Sequence, residues 1–125
     1  VGCFFRRRIF KMVRKANIIQ KQELGGGKGC AEVHEIDPEK DLYGHGKLYA
    51  KVVLKPNSSV GWHRHVGETE PYYILEGEGI FVDDDGSRTK VGPGDVCTIL
   101  PGQCHAIENA SSCKDLAFMA LIHKD

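Results

Sequence analysis

The sequence predicts an all-β fold, a barrel or two-sheet jelly roll, on three observations. Apolar residues alternate with a period of two over many short runs, turn-forming residues separate those runs at short and even intervals, and no segment carries a convincing amphipathic helical period. Strands of this kind bury one face each, and they do so by closing into a barrel or stacking as two sheets.

The first clear strand spans residues 47–55. It sets Leu48, Ala50, Val52 and Leu54 on one face and Tyr49, Lys51, Val53 and Lys55 on the other, and Pro56-Asn57-Ser58-Ser59 ends it. Strands follow over 60–65, 70–76, 79–82, 88–91, 95–100, 104–108 and 116–123. The turns between them are Asp83-Asp84-Asp85-Gly86, Gly92-Pro93-Gly94-Asp95, Pro101-Gly102 and Asn109-Ala110-Ser111-Ser112. Residues 116–122 are apolar on both faces, so one face is expected against the core and the other against a sheet or partner. Upstream, residues 32–41 are polar and contain Pro38, which reads as an irregular loop or short turn. Gly25-Gly26-Gly27-Lys28-Gly29 reads as a flexible link, and it lacks the Gly-Lys-Ser/Thr ending of a phosphate loop.

The organisation expected is a basic arm and Gly-rich link over residues 1–30, followed by one barrel domain over 31–125. All 125 residues have zero formal net charge, yet the first fifteen hold Arg6, Arg7, Arg8, Lys11, Arg14 and Lys15 and no acid. Met12-Val13-Arg14-Lys15 would serve as a start, which makes residues 1–11 an upstream extension or expression remnant. Without that arm the body is mildly acidic and offers no basic face to nucleic acid. Five cysteines, an odd number with no Cys-x-x-Cys pair, suggest reduced thiols and a cytoplasmic setting. No apolar run approaches the roughly 20 residues of a membrane span.

The chemistry concentrates in Gly61-Trp62-His63-Arg64-His65-Val66-Gly67-Glu68-Thr69-Glu70 and in His105. In an extended strand His63 and His65 share a face while Arg64 points away. Three imidazoles and a carboxylate suit a divalent first-row ion. These residues resemble the cupin superfamily, whose first motif is read here as Asn57, His63-x-His65, Glu70 and Gly77, and whose second is read as Gly94, Leu100-Pro101-Gly102, His105 and Asn109. Asn57 stands where the family pattern has glycine, and asparagine is the next best residue for a left-handed turn. Leu100 replaces the first proline of the second motif, and Pro71 implies an edge position or a local irregularity.

The resemblance implies a double-stranded β-helix, a homodimer, and one divalent transition metal (Fe, Mn, Ni, Cu or Zn) held by His63, His65, Glu70 and His105. An ion held by these four keeps positions open for water, substrate or dioxygen. The function it implies is an enzyme acting on a small polar molecule, as an oxygenase, decarboxylase, isomerase or lyase. The alternative is a non-catalytic small-molecule binding or sensor cupin. Tyr72 shares the inward face with Glu70 and is a pocket candidate, whereas Tyr73 faces out toward a sheet or dimer contact. Glu68 reads first as a solvated loop charge, with support of a ligand or proton transfer as the alternative. Cys97 and Cys104 read as small core residues, and His34, His45 and His123 as surface or satisfied histidines.

Overall fold

In the computed structural model, residues 11–125 are described, and they form ten strands and two short 3-10 turns. The strands are β1 (Asn17–Gln22), β2 (Cys30–Pro38), β3 (Gly46–Leu54), β4 (Ser59–Arg64), β5 (Glu68–Glu76), β6 (Gly79–Val82), β7 (Arg88–Val91), β8 (Val96–Ile99), β9 (Cys104–Glu108) and β10 (Leu116–Lys124). They pair antiparallel in two sheets, one ordered β4-β9-β6-β7 and the other β1-β2-β3-β10-β5-β8. The sheets face each other across a core that includes the fully buried Leu54, Ile74, Ile99, Ile107, Leu116 and Phe118. Each such side chain contributes about 1.5–3 kcal/mol by leaving water. This is the all-β jelly roll the alternation predicts.

Every expected strand from residue 47 onward is present, with ends shifted by two residues at most. Strand β10 runs between β3 and β5, with Leu116, Phe118 and Ala120 buried on its inward face and Met119 and Leu121 half-buried on the other. Asn57 adopts φ 61°, so the asparagine does fill a left-handed position. Pro71 lies inside a central strand, not at an edge. Its missing N–H interrupts the ladder with β10, where pairs run from Ala120↔Tyr72 to His123↔Thr69 with none between.

The N-terminal part corrects the expectation of a loop over 32–41. Residues Cys30–Pro38 form a strand that pairs with β3 through Ala31↔Leu54, Val33↔Val52 and Glu35↔Ala50. Ala31 and Val33 are buried on its inward face, but Glu35 occupies the next inward place and breaks the apolar alternation. Within the stretch assigned to arm and link, Asn17–Gln22 pairs with this strand, and the Gly-rich segment is the turn of the resulting hairpin, with a 3-10 turn over Leu24–Gly26. Residues 1–10, which hold most of the basic arm, lie outside the described residues.

Candidate metal centre

Both sheets contribute to one cluster. His63 is on β4, His65 follows that strand directly, and His105 on β9 lies opposite His63 in the ladder. Glu70 comes from β5 in the other sheet. Two backbone bonds pin His65 to the turn that precedes β9: its N–H donates to the Gln103 carbonyl at 3.0 Å, and its carbonyl accepts from the Gly102 N–H at 2.6 Å. The four side chains offer donor atoms that all lie within 4.8 Å of one another. All four sequence-expected ligands are therefore together, while Arg64 is exposed on the far face and its guanidinium donates to the Gly102 carbonyl.

Hydrogen bonds decide which ring nitrogens face the cluster. His63 Nδ1 is 2.7 Å from the Gly61 carbonyl, which can only accept, so Nδ1 carries the proton and the neutral ring leaves Nε2 bare. His65 Nδ1 is 3.1 Å from Glu68 Oε1, and the ionised carboxylate imposes the same tautomer. The Nε2 atoms of His63 and His105 each lie 3.1 Å from Nε2 of His65, and Glu70 Oε1 lies 3.0 Å from it. One proton on His65 Nε2 can satisfy only one of these three neighbours. Three imidazole nitrogens and a carboxylate oxygen aimed at one small volume are a donor set that a divalent ion satisfies together and a shared proton satisfies only in part, so the residues present fit a divalent ion. His105 has a different environment: its Nδ1 is buried without a hydrogen-bond partner, and the ring lies between Phe81 and Tyr72, with centroids 5.6 and 5.4 Å away.

The charges follow from these contacts. The hydrogen bond to Glu70, then that to Glu68, holds the His65 ring above its usual value against the opposing effect of burial. Burial pushes the His105 imidazole down, keeping it neutral. Burial would raise Glu70, but hydrogen bonds to His105 and His65 outweigh it and the carboxylate stays below its ordinary range. Tyr72 is buried against Phe118, with ring centroids 4.3 Å apart and planes tilted by 37°. Burial and the Glu70 charge push its hydroxyl far up, so it stays protonated at neutral pH. Burial likewise pushes the Cys97 thiol up to about 11, as befits a core residue and not a nucleophile.

Glu68 corrects the reading as a solvated charge. It is only 8% exposed, begins β5, accepts from His65 through one oxygen, and meets Lys47 Nζ at 2.9 Å through the other. A carboxylate three residues after a histidine ligand was the available signal. What was not legible was that β3 would deliver Lys47 to hold it.

The position of His63 depends on the β1–β2 turn. A Cβ on Gly61 would lie 2.4 Å from the Gly25 carbonyl oxygen and 2.6 Å from the Gly27 nitrogen, so two backbones touch where no side chain fits. The turn thus packs on the residue whose carbonyl orients His63, and it forms one wall of a cavity of about 300 Å³ that His63, His65, Glu70 and Tyr72 line at one end.

This ligand arrangement inside a jelly roll is matched by a family: residues 50–121 match the cupin domain. The chain belongs to the cupin family. Among cupins with curated descriptions, it is 40% identical over 113 residues to an oxalate-binding protein of Thermotoga maritima, covering 89% of this chain and 92% of that one. Among solved structures it is similar to a Thermotoga maritima protein described as a predicted oxalate decarboxylase, with TM-score 0.84 and 38% identity over 92% of this chain and all of that one. The polyketide cyclase RemF of Streptomyces resistomycificus, at 20% identity and TM-score 0.69 over 93% of this chain and 80% of that one, shares the cupin fold alone.

Proposed function

We propose that this cupin binds one divalent first-row transition metal through His63, His65, Glu70 and His105 and uses it to hold a small carboxylate. The observation that carries the reading is the convergence of four metal-ligating side chains, three of which, His63, His65 and Glu70, also line a cavity of about 300 Å³. The relative named an oxalate-binding protein supports a carboxylate as the ligand. When bound, such an ion supplies Lewis acidity to an oxygen ligand at its open positions. The chain's own residues do the rest. Gly61 and Glu68 fix the tautomers of His63 and His65, Glu70 supplies negative charge, and the aliphatic walls exclude water from the carboxylate.

Catalysis on that carboxylate is one reading, since the ligand set leaves open positions. Binding without turnover is the second, and the cavity lining favours it. Apart from the ligands, the ionisable side chains that line the cavity are Tyr72, which stays protonated beside the cluster, and Glu35 and Lys21, whose strands lie three and four places from that of Tyr72 in the sheet. Elemental analysis of protein purified without added metal, calorimetry with oxalate, and assays for carbon dioxide and oxygen uptake separate the two. One equivalent of metal and saturable oxalate binding support the proposal, and product formation assigns the enzyme. His63→Ala and His105→Ala should strip the metal from a folded barrel, because apolar residues hold the strands, while Arg64→Ala should keep it. Metal loss in Arg64→Ala as complete as in His63→Ala would overturn the site assignment.

A further inference from the structure

We infer that the carboxylate this cavity takes is a 2-oxo acid with an apolar substituent of several carbons, a specificity that rests on the metal-carboxylate reading above. Oxalate and a 2-oxo acid present the same head to a metal, two oxygens on adjacent carbons. They differ in what lies behind the head: a second carboxylate group in one, a hydrocarbon chain in the other.

The cavity is built for the chain. Its volume of about 300 Å³ far exceeds what a two-carbon dianion fills, and a wholly polar ligand would leave water against aliphatic walls. Sheet register shows how the space runs. Tyr72 on β5, Ala120 on β10, Ala50 on β3 and Glu35 on β2 lie in one row across four neighbouring strands. Three strand spacings make that row about 14 Å long when followed along the sheet. The two middle residues are alanines, so the floor between them stays low. On one side stand Leu48 and Ile122, paired with each other, and on the other stand Val33, Val52 and Phe118, paired in sequence. The result is an apolar trough that starts at Tyr72 beside the ligand cluster and ends where Glu35 and Lys21 line the cavity. A chain lying in it leaves water without displacing any polar group from its partner. A second carboxylate placed there would give up hydration with no cation at hand until Lys21.

Calorimetric titration of zinc-loaded wild-type protein with oxalate, glyoxylate, pyruvate, 2-oxobutyrate and 2-oxopentanoate tests this. From glyoxylate onward each added carbon should tighten binding about fourfold, the increment for burying one methylene. Ala120→Leu, which fills the trough floor, should cancel those increments, so that 2-oxopentanoate binds no tighter than pyruvate. Val33→Phe narrows the same trough from its side and should act alike, should Ala120→Leu fail to fold. An affinity that is flat or falls with chain length, in a protein that takes up zinc and binds oxalate, overturns the inference and leaves the metal-carboxylate reading standing. Failure to bind oxalate and every oxo acid, despite one equivalent of zinc, overturns both.

Discussion

His65 and Glu68 form the contact that orients the cluster: Nδ1–H of the imidazole donates to Oε1 of the carboxylate at 3.1 Å, and this leaves Nε2 to face Glu70. Lys47 on Glu68's other oxygen keeps the carboxylate ionised and in place. The three residues come from the start of β3, the position just past β4 and the start of β5, so the contact also ties together strands of both sheets.

Removing that acceptor should loosen the metal without removing a ligand. Glu68→Ala is expected to lower metal affinity about 10–100-fold, the usual cost of losing a partner that orients a ligating histidine. Glu68→Gln keeps an acceptor oxygen and should lose less. Competition titration against a chelator measures both, and wild-type affinity in Glu68→Ala would mean that the contact is only structural.

The response to pH should change sign with metal. His65 is held above its ordinary value of 6.5, first by Glu70, so in metal-free protein its contribution is full below that value and is lost as pH rises through the raised one. Glu70 is held below its ordinary 4.5, so its contribution is present above 4.5 and is lost as pH falls through the lowered value. A metal ion competes with the proton on His65 Nε2. The rise in Tm on adding zinc should therefore grow from about pH 5 to about pH 8. A shift that is constant or shrinks over this range in calorimetric scans would contradict the cluster as the site of binding.

Gly61→Ala should test the wall of the cavity. The new methyl would meet backbone atoms of Gly25 and Gly27 at 2.4 and 2.6 Å, and neither is a flexible side-chain end that can step aside. Overpacking of this kind costs about 1–3 kcal/mol. Thermal or urea unfolding should show that loss, and chelator titration should show weaker metal retention, because the displaced turn moves the carbonyl that holds His63. Unchanged stability would mean that the turn is free to lift away.

A homodimer is expected through the outer face of the six-stranded sheet. Register sets Met119, Tyr73 and Val96 in one row there, with Tyr73 49% and Val96 65% exposed. Neighbouring apolar side chains left in water on adjacent strands are what a second copy would cover. Light scattering at micromolar concentration should give twice the mass of one chain, and Tyr73→Glu should reduce it to one. A single-chain mass for wild type would rule out this interface.

The sequence by itself determined the strands from residue 47 onward and the four candidate ligands. Both are local facts: alternation sets which face of a strand a residue takes, and His63-x-His65 followed by Glu70 repeats that alternation in metal-ligating residues. The tertiary structure decided what depends on residues far apart in the chain. Strand β2 was hidden because Glu35 faces a cavity and so occupies an inward place normally held by an apolar residue; only the pairing with Ala50 reveals it. Glu68 looked like a loop charge until the fold brought Lys47 across 21 positions to neutralise it beside His65. Tautomers, cavity and trough were likewise decided by the fold, because a hydrogen-bond acceptor or an empty volume is a property of neighbours in space, and two-residue periodicity carries no record of which strands will become neighbours.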